Sequence, residues 1–383
     1  MGSGQRVAVF GAYGHTGRFV VAELRERGYV PVLSGRDAGK LRALAASHPG
    51  LEARPASVDD PGSLDRALAG AAAVVNCAGP FATTAAPVIE AALRAGIPYV
   101  DVAAEIEANA DTFAHFAGRA RDAGAVIVPA MAFFGGLGDL LATAAMGGWT
   151  AADEAHIAYG LSGWNPTDGT RAAGEVSRER RDGGRVRYVN GHLEYRDDSP
   201  PTLEWPFPAP MGGRAVIGEF SMADVVTVPG HLAIPEVCTY MAIEAARDLS
   251  APDTPGPAAV DERGRSAQTF LVDVVLRSGA VNGAPWRAAR TSTPSPPRSS
   301  WKRSTASSPG GPAPPGSPPQ ARSSTPRTSS GRCPRTCPWS CSRAGTTHAT
   351  ACGFWSRRPP ARRPARQDGA RARGRERRRT GPP

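Results

Sequence analysis

Apolar runs of strand length alternate with helical patterns along the first 145 residues of the chain. Between the runs, apolar residues recur at the spacing of an amphipathic helix. Strands that alternate with helices in this way are typical of a parallel sheet with helices on both faces, so we predict an α/β fold with a Rossmann-type doubly wound parallel sheet over residues 1–145. The predicted strands cover residues 7–10, 29–33, 51–58, 72–77, 98–102 and 125–128, and the predicted helices after the first cover 37–46, 62–68, 84–95 and 108–123.

The pattern changes at about residue 150, where regular alternation of strands and helices ends. From the strand-like runs that remain, we predict an α+β domain over residues 146–284. Those runs lie at 156–161, 225–228 and 269–276.

Two turns are predicted inside this second domain. The dipeptide Asn190-Gly191 predicts the turn of a hairpin within residues 178–195. The stretch 165–170 predicts a turn before a helix-like run. Gly169, at the start of that run, offers either a site for an anionic substrate group or an ordinary helix N-cap.

Three glycines follow the first predicted strand at three-residue steps. A dinucleotide fold needs glycine there because the backbone turns sharply and approaches a pyrophosphate closely, with helix N–H groups facing the anion. The spacing G-x-x-G-x-x-G differs from G-x-G-x-x-G, and a glycine-rich turn without a cofactor is the alternative. The residues predicted to bind the pyrophosphate are Gly11, Ala12, Tyr13, Gly14, His15, Thr16 and Gly17.

The second predicted strand ends in Ser34, Gly35 and Arg36, without the Asp or Glu expected of an NAD-binding protein. A guanidinium with a hydroxyl beside it suits a 2′-phosphate, and no carboxylate precedes it to repel one. We therefore predict NADP as the cofactor and assign these three residues to its site. The other interpretation, compatible with the first, is that Arg36 is a solvated charge and Asp37 the N-cap of the next helix.

In the fourth predicted strand, the side chains that would point to either face of the sheet are mostly apolar, as expected of a buried parallel strand. It ends in a turn at the carboxyl edge of the sheet, where ligands of such folds bind. We assign this turn to the nicotinamide-ribose side of the cofactor. Its residues are Asn76, Cys77, Ala78, Gly79 and Pro80.

Three segments, 11–18, 76–81 and 99–105, stand out along the first domain, and a glycine-rich passage follows at 129–141. Together they resemble the saccharopine dehydrogenase-like oxidoreductases, including their trans-acting enoyl reductase relatives. The resemblance covers roughly residues 7–278. It implies an NADP-binding domain followed by an α+β domain that shapes a substrate pocket and often contributes to dimerisation, which makes a homodimer possible.

Asp101 and Glu105 follow the fifth predicted strand, in the third of these segments. We expect both carboxylates near the carboxyl edge of the sheet, within reach of a nicotinamide. They are the predicted catalytic residues because a carboxylate in that position can orient substrate or relay a proton. The alternative is that Asp101 caps the following turn and that Glu105 is solvated.

The leading hypothesis is an NADP(H)-dependent oxidoreductase that transfers a hydride to or from an imine, enoyl or carbonyl-type small substrate. The sequence has no convincing Tyr-Lys or His-Asp catalytic pair, so a non-catalytic NADP-binding or sensor protein is the alternative. Its seven His residues lack the paired spacing of metal ligands, and we predict no metal site.

The positive charge of the chain is concentrated in its last part. Residues 285–383 hold 21 Lys and Arg but only two acidic residues, Asp368 and Glu376. Residues 1–284 hold the other 24 basic and 33 acidic residues, a net charge of −9 against +19 in the tail. The overall charge of +10 is therefore no indication of nucleic-acid binding by the folded domains.

The tail is rich in Pro, Ser, Thr and Arg and lacks a periodic apolar pattern, so we predict disorder over residues 285–383. One interpretation is a basic arm that attracts nucleic acid or an acidic membrane surface. We favour a shifted reading frame, because moving the frame over residues 291–310 back by a single base can give a strand-like entry and an amphipathic helix. The second domain would then lack its native final helix.

No stretch of the sequence is apolar enough to cross a membrane, and the first strand begins too early to leave room for a signal peptide. We therefore expect a cytoplasmic protein in which Cys77 and Cys238 are reduced, buried thiols. The expected partner is a small-molecule substrate, and neither a membrane nor a nucleic acid is expected.

Overall fold

The computed structural model describes residues 4–262, 264–279 and 287–292. All described residues belong to one compact unit, which contains both predicted folded domains.

The first domain is a six-stranded parallel sheet with the strand order β3-β2-β1-β4-β5-β6. This is the order of a Rossmann fold, in which ligands bind at the reversal between β1 and β4. The predicted doubly wound sheet is therefore confirmed. Its strands are β1 Arg6–Phe10, β2 Val30–Gly35, β3 Glu52–Pro55, β4 Ala73–Asn76, β5 Tyr99–Asp101 and β6 Ile127–Val128. Its helices are α1 His15–Glu26, α2 Ala38–Ala46, α3 Pro61–Leu68, α4 Phe81–Ala95 and α5 Ile106–Ala123.

Local sequence determines where the second and third helices begin. The Asp37 carboxylate accepts the backbone N–H of Lys40 at 2.9 Å and caps α2. Asp60 caps α3 in the same way, and Pro61 occupies the first helical position, where a missing N–H costs nothing. A side-chain N-cap of this kind stabilises a helix by about 1 kcal/mol.

Helices cover both faces of the sheet. Val9 and Phe10 are neighbours on β1, so their side chains point to opposite faces. Val9 packs in a cluster with Leu33 and with Val21 of α1, and Phe10 packs in a second cluster with Val74. Burial of each such side chain stabilises the fold by about 1.5–3 kcal/mol.

A glycine-rich segment connects the two domains. After Val128, an irregular turn at Phe133–Leu137, in which Phe134 and Gly135 have non-helical φ and ψ, leads directly into α6, Gly138–Met146. A Cβ placed on Gly138 would overlap Oδ1 of Asp224. Glycine is therefore needed at the start of α6 because a buried carboxylate lies against its backbone.

The second domain is built on an eight-stranded mixed sheet with the path β10-β11-β12-β7-β13-β14, to which β8 and β9 are added through β12. β12 and β7 run parallel, and their other neighbours are antiparallel. The predicted α+β domain is confirmed. Its strands are β7 Glu154–Leu161, β8 Arg185–Val189, β9 His192–Arg196, β10 Thr202–Pro206, β11 Gly213–Gly218, β12 Glu236–Ala242, β13 Phe270–Ser278 and β14 Arg287–Ser292. Its helices are α7 Asp168–Arg180, α8 Asp224–Thr227 and α9 Ile243–Ser250.

The predicted hairpin is confirmed between β8 and β9. Asn190 and Gly191 join the strands with φ values of 51° and 78°. Both central residues of a type I′ turn need positive φ, which Asn and Gly tolerate best. Residues 178–180, which we included in the hairpin, instead form the last part of α7.

The prediction of a strand at 225–228 is wrong, because these residues form α8, Asp224–Thr227, and the short turn after it. Three valines in this stretch favour a strand by composition. Val225 and Val228 are both fully buried. Side chains three residues apart share one side of a helix, whereas in a strand they would point to opposite faces.

β14 lies inside the segment that we predicted as a disordered tail. Arg287–Ser292 pairs antiparallel with β13 and extends the second sheet beyond the predicted boundary at residue 285. The rest of that tail, and the segment 293–310 in which we considered a shifted reading frame, lie outside the described residues.

Candidate functional site

The loops after β1 and β4 meet where the strand order reverses. Phe10 and Asn76, the last residues of these strands, are paired in register. The first loop turns at Gly11, whose φ is 82°. A Cβ placed on Gly11 would lie 2.8 Å from the backbone nitrogen of Ala78 in the second loop. The two backbones can approach this closely only with glycine at that position.

α1 begins directly after the first loop, at His15. Its N-cap, Gly14, has no side chain to bond the first N–H groups, and the first turn holds no acidic residue. A Cβ placed on Gly17 would overlap the carbonyl oxygen of Gly11, so the helix and the loop are in close backbone contact. Uncapped N–H groups at a helix N-terminus suit a pyrophosphate anion.

Ser34 positions the glycine loop through its backbone. Its carbonyl oxygen accepts the N–H of Gly11 at 2.9 Å and that of Ala12 at 3.1 Å. Its side chain is fully buried, and its hydroxyl has no hydrogen-bond partner among the described residues. The predicted contact between this hydroxyl and the cofactor stays a prediction.

Tyr13 and Gly35 are in contact at the end of β2. A Cβ placed on Gly35 would lie 2.8 Å from Cε1 of Tyr13. The Tyr13 hydroxyl accepts the backbone N–H of Asp37 at 3.3 Å. These contacts hold the loop after β1 against the start of α2.

Two cationic side chains lie at the start of α2. Arg36 is exposed, and the Lys40 ammonium lies 3.9 Å from the Asp37 carboxylate and 5.7 Å from the centre of the Tyr13 ring. The backbone N–H of Lys40 is the main cause that lowers the pKa of Asp37. A pair of cations can bind a phosphate on the ribose. Sequence analysis missed Lys40, although a second cation close after Arg36 in the sequence was a usable indication.

Asn76 fixes the turn after β4 and is fully buried. Its Oδ1 accepts the backbone N–H of Ala78 at 3.0 Å, and its Nδ2 donates to the hydroxyls of Thr84 at 3.3 Å and Tyr99 at 3.2 Å. These hydrogen bonds of the Asn76 amide hold the turn after β4 in its conformation. Burial raises the pKa of Cys77, the next residue, to about 12, so its thiol is protonated and a poor nucleophile.

Asp101 connects three segments at the carboxyl edge of the sheet and is fully buried. Its Oδ1 accepts the backbone N–H groups of Ala103 at 3.0 Å and Ala130 at 2.8 Å, and its Oδ2 accepts the Tyr99 hydroxyl at 2.8 Å. Burial raises the pKa of Asp101, and these three donors oppose the rise. This is the geometry of a cap on the following turns, as in the alternative that we considered.

The Glu105 carboxylate caps α4. Pro80, which precedes the helix, supplies no side-chain bond, whereas Glu105 accepts the N–H of Phe81 at 2.6 Å and that of Ala82 at 2.9 Å. Only 2% of Glu105 is exposed, so the expectation that it is solvated is wrong, and burial raises its pKa. With both oxygens bonded to α4, its catalytic role, like that of Asp101, stays a prediction.

α7 connects the second domain to the first. The Thr167 hydroxyl accepts the backbone N–H of Thr170 at 3.0 Å, so the helix begins with an ordinary N-cap. Near its other end, Ser177 donates to Glu107 of α5 at 2.5 Å, and Arg181 lies 3.2 Å from the same carboxylate. Glu107 is only 6% exposed. This buried ion pair fixes α7 beside the start of α5.

A buried tyrosine–aspartate pair lies against the segment between the domains. Tyr159 donates to Asp224 at 2.9 Å, and neither residue is exposed. Burial raises the pKa of Asp224 to about 7, and the charge of Asp139 contributes to the rise. Asp139 in turn lies 2.7 Å from Nε2 of the half-exposed His231.

Comparison with known proteins shows what the first domain is similar to. Residues 7–128 match the model of the saccharopine dehydrogenase NADP-binding domain. A probable mitochondrial saccharopine dehydrogenase-like oxidoreductase of Arabidopsis thaliana is 32% identical over a match that covers 33% of this chain and 31% of that protein. The chain thus matches about a third of the length of its curated relative.

Among solved structures, the apo form of saccharopine dehydrogenase (L-Glu forming) from Saccharomyces cerevisiae matches with a TM-score of 0.49 and 12% identity, over 76% of this chain and 85% of that one. The family match covers three of the segments that carried the predicted resemblance, 11–18, 76–81 and 99–105, and ends before the fourth, 129–141. Residues 7–128 are therefore similar to a saccharopine dehydrogenase NADP-binding domain, and NADP is the cofactor that this match supports.

Proposed function

We propose that the chain is an NADP(H)-dependent oxidoreductase that transfers a hydride to or from an imine, enoyl or carbonyl-type small molecule. The supporting observation is the meeting of two loops at the reversal of strand order, with Gly11 of one against Ala78 of the other. That is where dinucleotides bind in this architecture. NADPH supplies the hydride when bound, and the chain's part is to bind, orient and exclude water.

In this proposal the cofactor lies in the crevice between the loops after β1 and β4, and each part of the crevice binds a different part of the cofactor. The uncapped first turn of α1 binds the pyrophosphate, with Gly11 and Gly17 permitting the close approach. Arg36 and Lys40 bind the 2′-phosphate and select NADP over NAD. The turn 77–80 borders the nicotinamide.

Asp101 and Glu105 act in this proposal as positioning residues. Glu105 holds the start of α4, which follows the nicotinamide turn, and Asp101 holds the backbone at Ala103 and Ala130. Precise placement of the loops around a nicotinamide has a large effect on rate, because hydride transfer depends on the distance and angle between the reacting carbons. A role for either residue as a proton relay stays a prediction from the sequence.

A second candidate function is a non-catalytic NADP-binding sensor. The observation in its favour is that both carboxylates predicted as catalytic are already bonded to backbone N–H groups. A sensor needs the cofactor site and a change of shape on binding, but no acid or base beside the nicotinamide.

One experiment separates the two functions. The purified full chain is titrated with NADPH by fluorescence, and loss of NADPH absorbance is then followed with a cyclic imine, a 2-enal, an enoyl thioester and an aldehyde. The oxidoreductase proposal expects oxidation with at least one class and none in a Gly17→Ala variant. Tight NADPH binding with no oxidation in any class would favour the sensor.

The proposal extends to the binding partners of the protein and to its location in the cell. Across the described part of the chain, no helix combines the length and apolar character required to span a membrane. We propose a small-molecule substrate and a cytoplasmic location, with no nucleic-acid partner for the folded domains. A homodimer is tested by light scattering of the purified chain.

A further inference from the structure

Four aromatic side chains lie together where the two domains join, and we call Phe133, Phe134, Trp164 and Phe270 the aromatic wall. The rings of Phe134 and Trp164 are 4.6 Å apart between centres and inclined by 30°. Phe133 meets Phe134 and Phe270 edge to face, each at 4.8 Å. All four side chains are partly exposed, whereas Tyr159 behind them is fully buried. The four rings thus pack against the buried core around Tyr159 and keep part of their surface exposed.

The aromatic wall begins next to the nicotinamide end of the cofactor crevice. Met131 donates its backbone N–H to the carbonyl of Asp101 at 2.8 Å. Asp101 is paired in register with Asn76, which precedes the nicotinamide turn. Phe133 is two residues after Met131, a span of at most about 7 Å. The first rings of the wall are thus fixed close to the carboxyl edge of β4 and β5.

Hydrogen bonds fix the far end of the wall. The backbone N–H of Trp164 donates to the Asp248 carboxylate at 2.9 Å. Gln268 donates through its side chain to the carbonyl of Gly163 at 2.6 Å, which ties the segment 251–269 to the loop after β7. A wall held in place in this way binds a ligand without a further cost of ordering.

The chemistry of the aromatic wall is apolar. The cation–π contacts present among the described residues involve other rings. Arg171 at the start of α7 uses its guanidinium to donate to the carbonyls of Ala251 at 3.2 Å and Thr254 at 2.9 Å. Ring faces of this kind bind flat or chain-like apolar groups, while a carboxylate set against them would lose its hydration without gaining a partner.

We propose that the aromatic wall is the substrate subsite of this oxidoreductase and takes an uncharged apolar group, an aromatic ring or a medium-length acyl chain, next to the reacting carbon. This assignment rests on the proposed function for the chemistry at the nicotinamide. Binding of the apolar group itself needs no turnover, so it can be measured separately.

The test uses the neutral fluorescent probe N-phenyl-1-naphthylamine with the full chain saturated with NADP⁺. We expect the probe to bind, octanal to displace it and 2-oxoglutarate to leave it bound. Trp164→Ala is expected to weaken probe binding about tenfold, which corresponds to about 1.4 kcal/mol, with unchanged NADPH affinity. Tyr195→Ala, which removes a half-exposed aromatic ring on β9, is the matched control and should leave probe binding unchanged.

A second variant keeps the test informative if Trp164→Ala fails to fold. Phe134→Leu keeps an apolar side chain of similar volume but removes the ring that stacks on Trp164, and should weaken the probe several-fold. The proposed subsite is contradicted if a folded Trp164 or Phe134 variant binds the probe as well as the wild type does. It is also contradicted if 2-oxoglutarate displaces the probe and octanal does not. If the probe is displaced as expected but no enal, imine or aldehyde oxidises NADPH, the subsite stands and the oxidoreductase function fails.

Discussion

Glu105 accepts the backbone N–H of Phe81 at 2.6 Å, although the two residues are 24 positions apart. Glu105 follows β5, and Phe81 is the first residue of the helix that follows β4. One buried carboxylate therefore ties together the loops of two neighbouring strands at the edge of the proposed cofactor site. The same carboxylate was the sequence candidate for a proton relay, and the two roles predict different effects of its removal.

Glu105→Gln is expected to lower the free energy of unfolding by about 1–3 kcal/mol, because the amide has a single acceptor oxygen and leaves one N–H of α4 unpaired in the interior. NADPH affinity should fall with it, since the turn 77–80 leads into α4. Denaturant unfolding and NADPH titration measure the two effects. The control Glu23→Gln, at an exposed pair on α1, should change stability by less than about 0.5 kcal/mol. Wild-type stability and NADPH affinity with turnover abolished would instead favour the proton relay.

Gly17→Ala is expected to remove NADPH binding, because its Cβ would overlap the carbonyl oxygen of Gly11 and displace the loop. A loss of about a hundredfold in affinity is expected by fluorescence titration if the pyrophosphate loses its N–H donors. Gly118→Ala is the matched control, since nothing lies within 4 Å of a Cβ at that position of α5. That change should raise stability by about 0.5–1 kcal/mol and leave NADPH binding intact. Equal NADPH affinity in both variants would contradict the glycine-loop site.

The first domain was predictable because its sequence signals are local. Gly11 directly follows a short apolar run and Gly17 lies in the first turn of the helix after it, and a close backbone approach at such a turn requires glycine wherever the rest of the chain lies. The rule that consecutive parallel strands are joined by right-handed crossovers limits the possible strand orders, but the observed order was not predicted. Arg36 could be placed because it directly follows a recognisable strand.

Two of the sequence predictions were wrong because the structure there depends on contacts between residues that pack together only in the folded chain. The solvated state expected of Glu105 is wrong because its partners begin a helix that follows a different strand. The strand expected at 225–228 is wrong because Val225 and Val228 are buried together on one side of a helical turn. Composition alone could show neither contact. Lys40 is different, because its spacing from Arg36 was visible and was overlooked.

Arg36→Ala and Lys40→Ala are each expected to reduce the preference for NADPH over NADH about tenfold, since each removes one cation from the 2′-phosphate while leaving the rest of the dinucleotide site unchanged. Titrations with both cofactors measure the ratio, and the effect should shrink at high salt. Arg42→Ala removes an exposed cation of the same helix and is the control. A loss of NADPH and NADH affinity in equal measure would show that the two cations do not contact the 2′-phosphate.

The frame-shift hypothesis makes a prediction about the gene. If the frame changes near residue 290, the codons of residues 291–310 read one base back should encode a strand-like entry and an amphipathic helix. Sequencing of the gene across the codons of residues 281–310 checks this directly. An intact frame whose shifted reading yields no apolar periodicity would leave the basic arm as the interpretation of the tail.

The pair Tyr159–Asp224 predicts a pH dependence of stability. The pKa of Asp224 is about 7 in the folded protein against an ordinary value of 3.8. The folded state therefore keeps the proton at pH values where the unfolded chain has lost it, so the stabilisation is complete below about pH 4 and is lost as the pH rises through about 7.

Asp224→Asn isolates this effect, because the amide keeps an acceptor for the Tyr159 hydroxyl and cannot ionise. The unfolding free energy of the wild type minus that of the variant should fall by about 1 kcal/mol per pH unit between pH 4 and 7, and then level off. Denaturant unfolding at several pH values measures it, and Asp139→Asn should shift the levelling to lower pH because the charge of Asp139 helps to raise the pKa of Asp224. Asp101 and Glu105 titrate in both proteins and cancel in the difference. A difference that stays constant from pH 4 to 7 would mean that Asp224 is ionised in the folded protein throughout, with the Tyr159 hydrogen bond outweighing the cost of burying its charge.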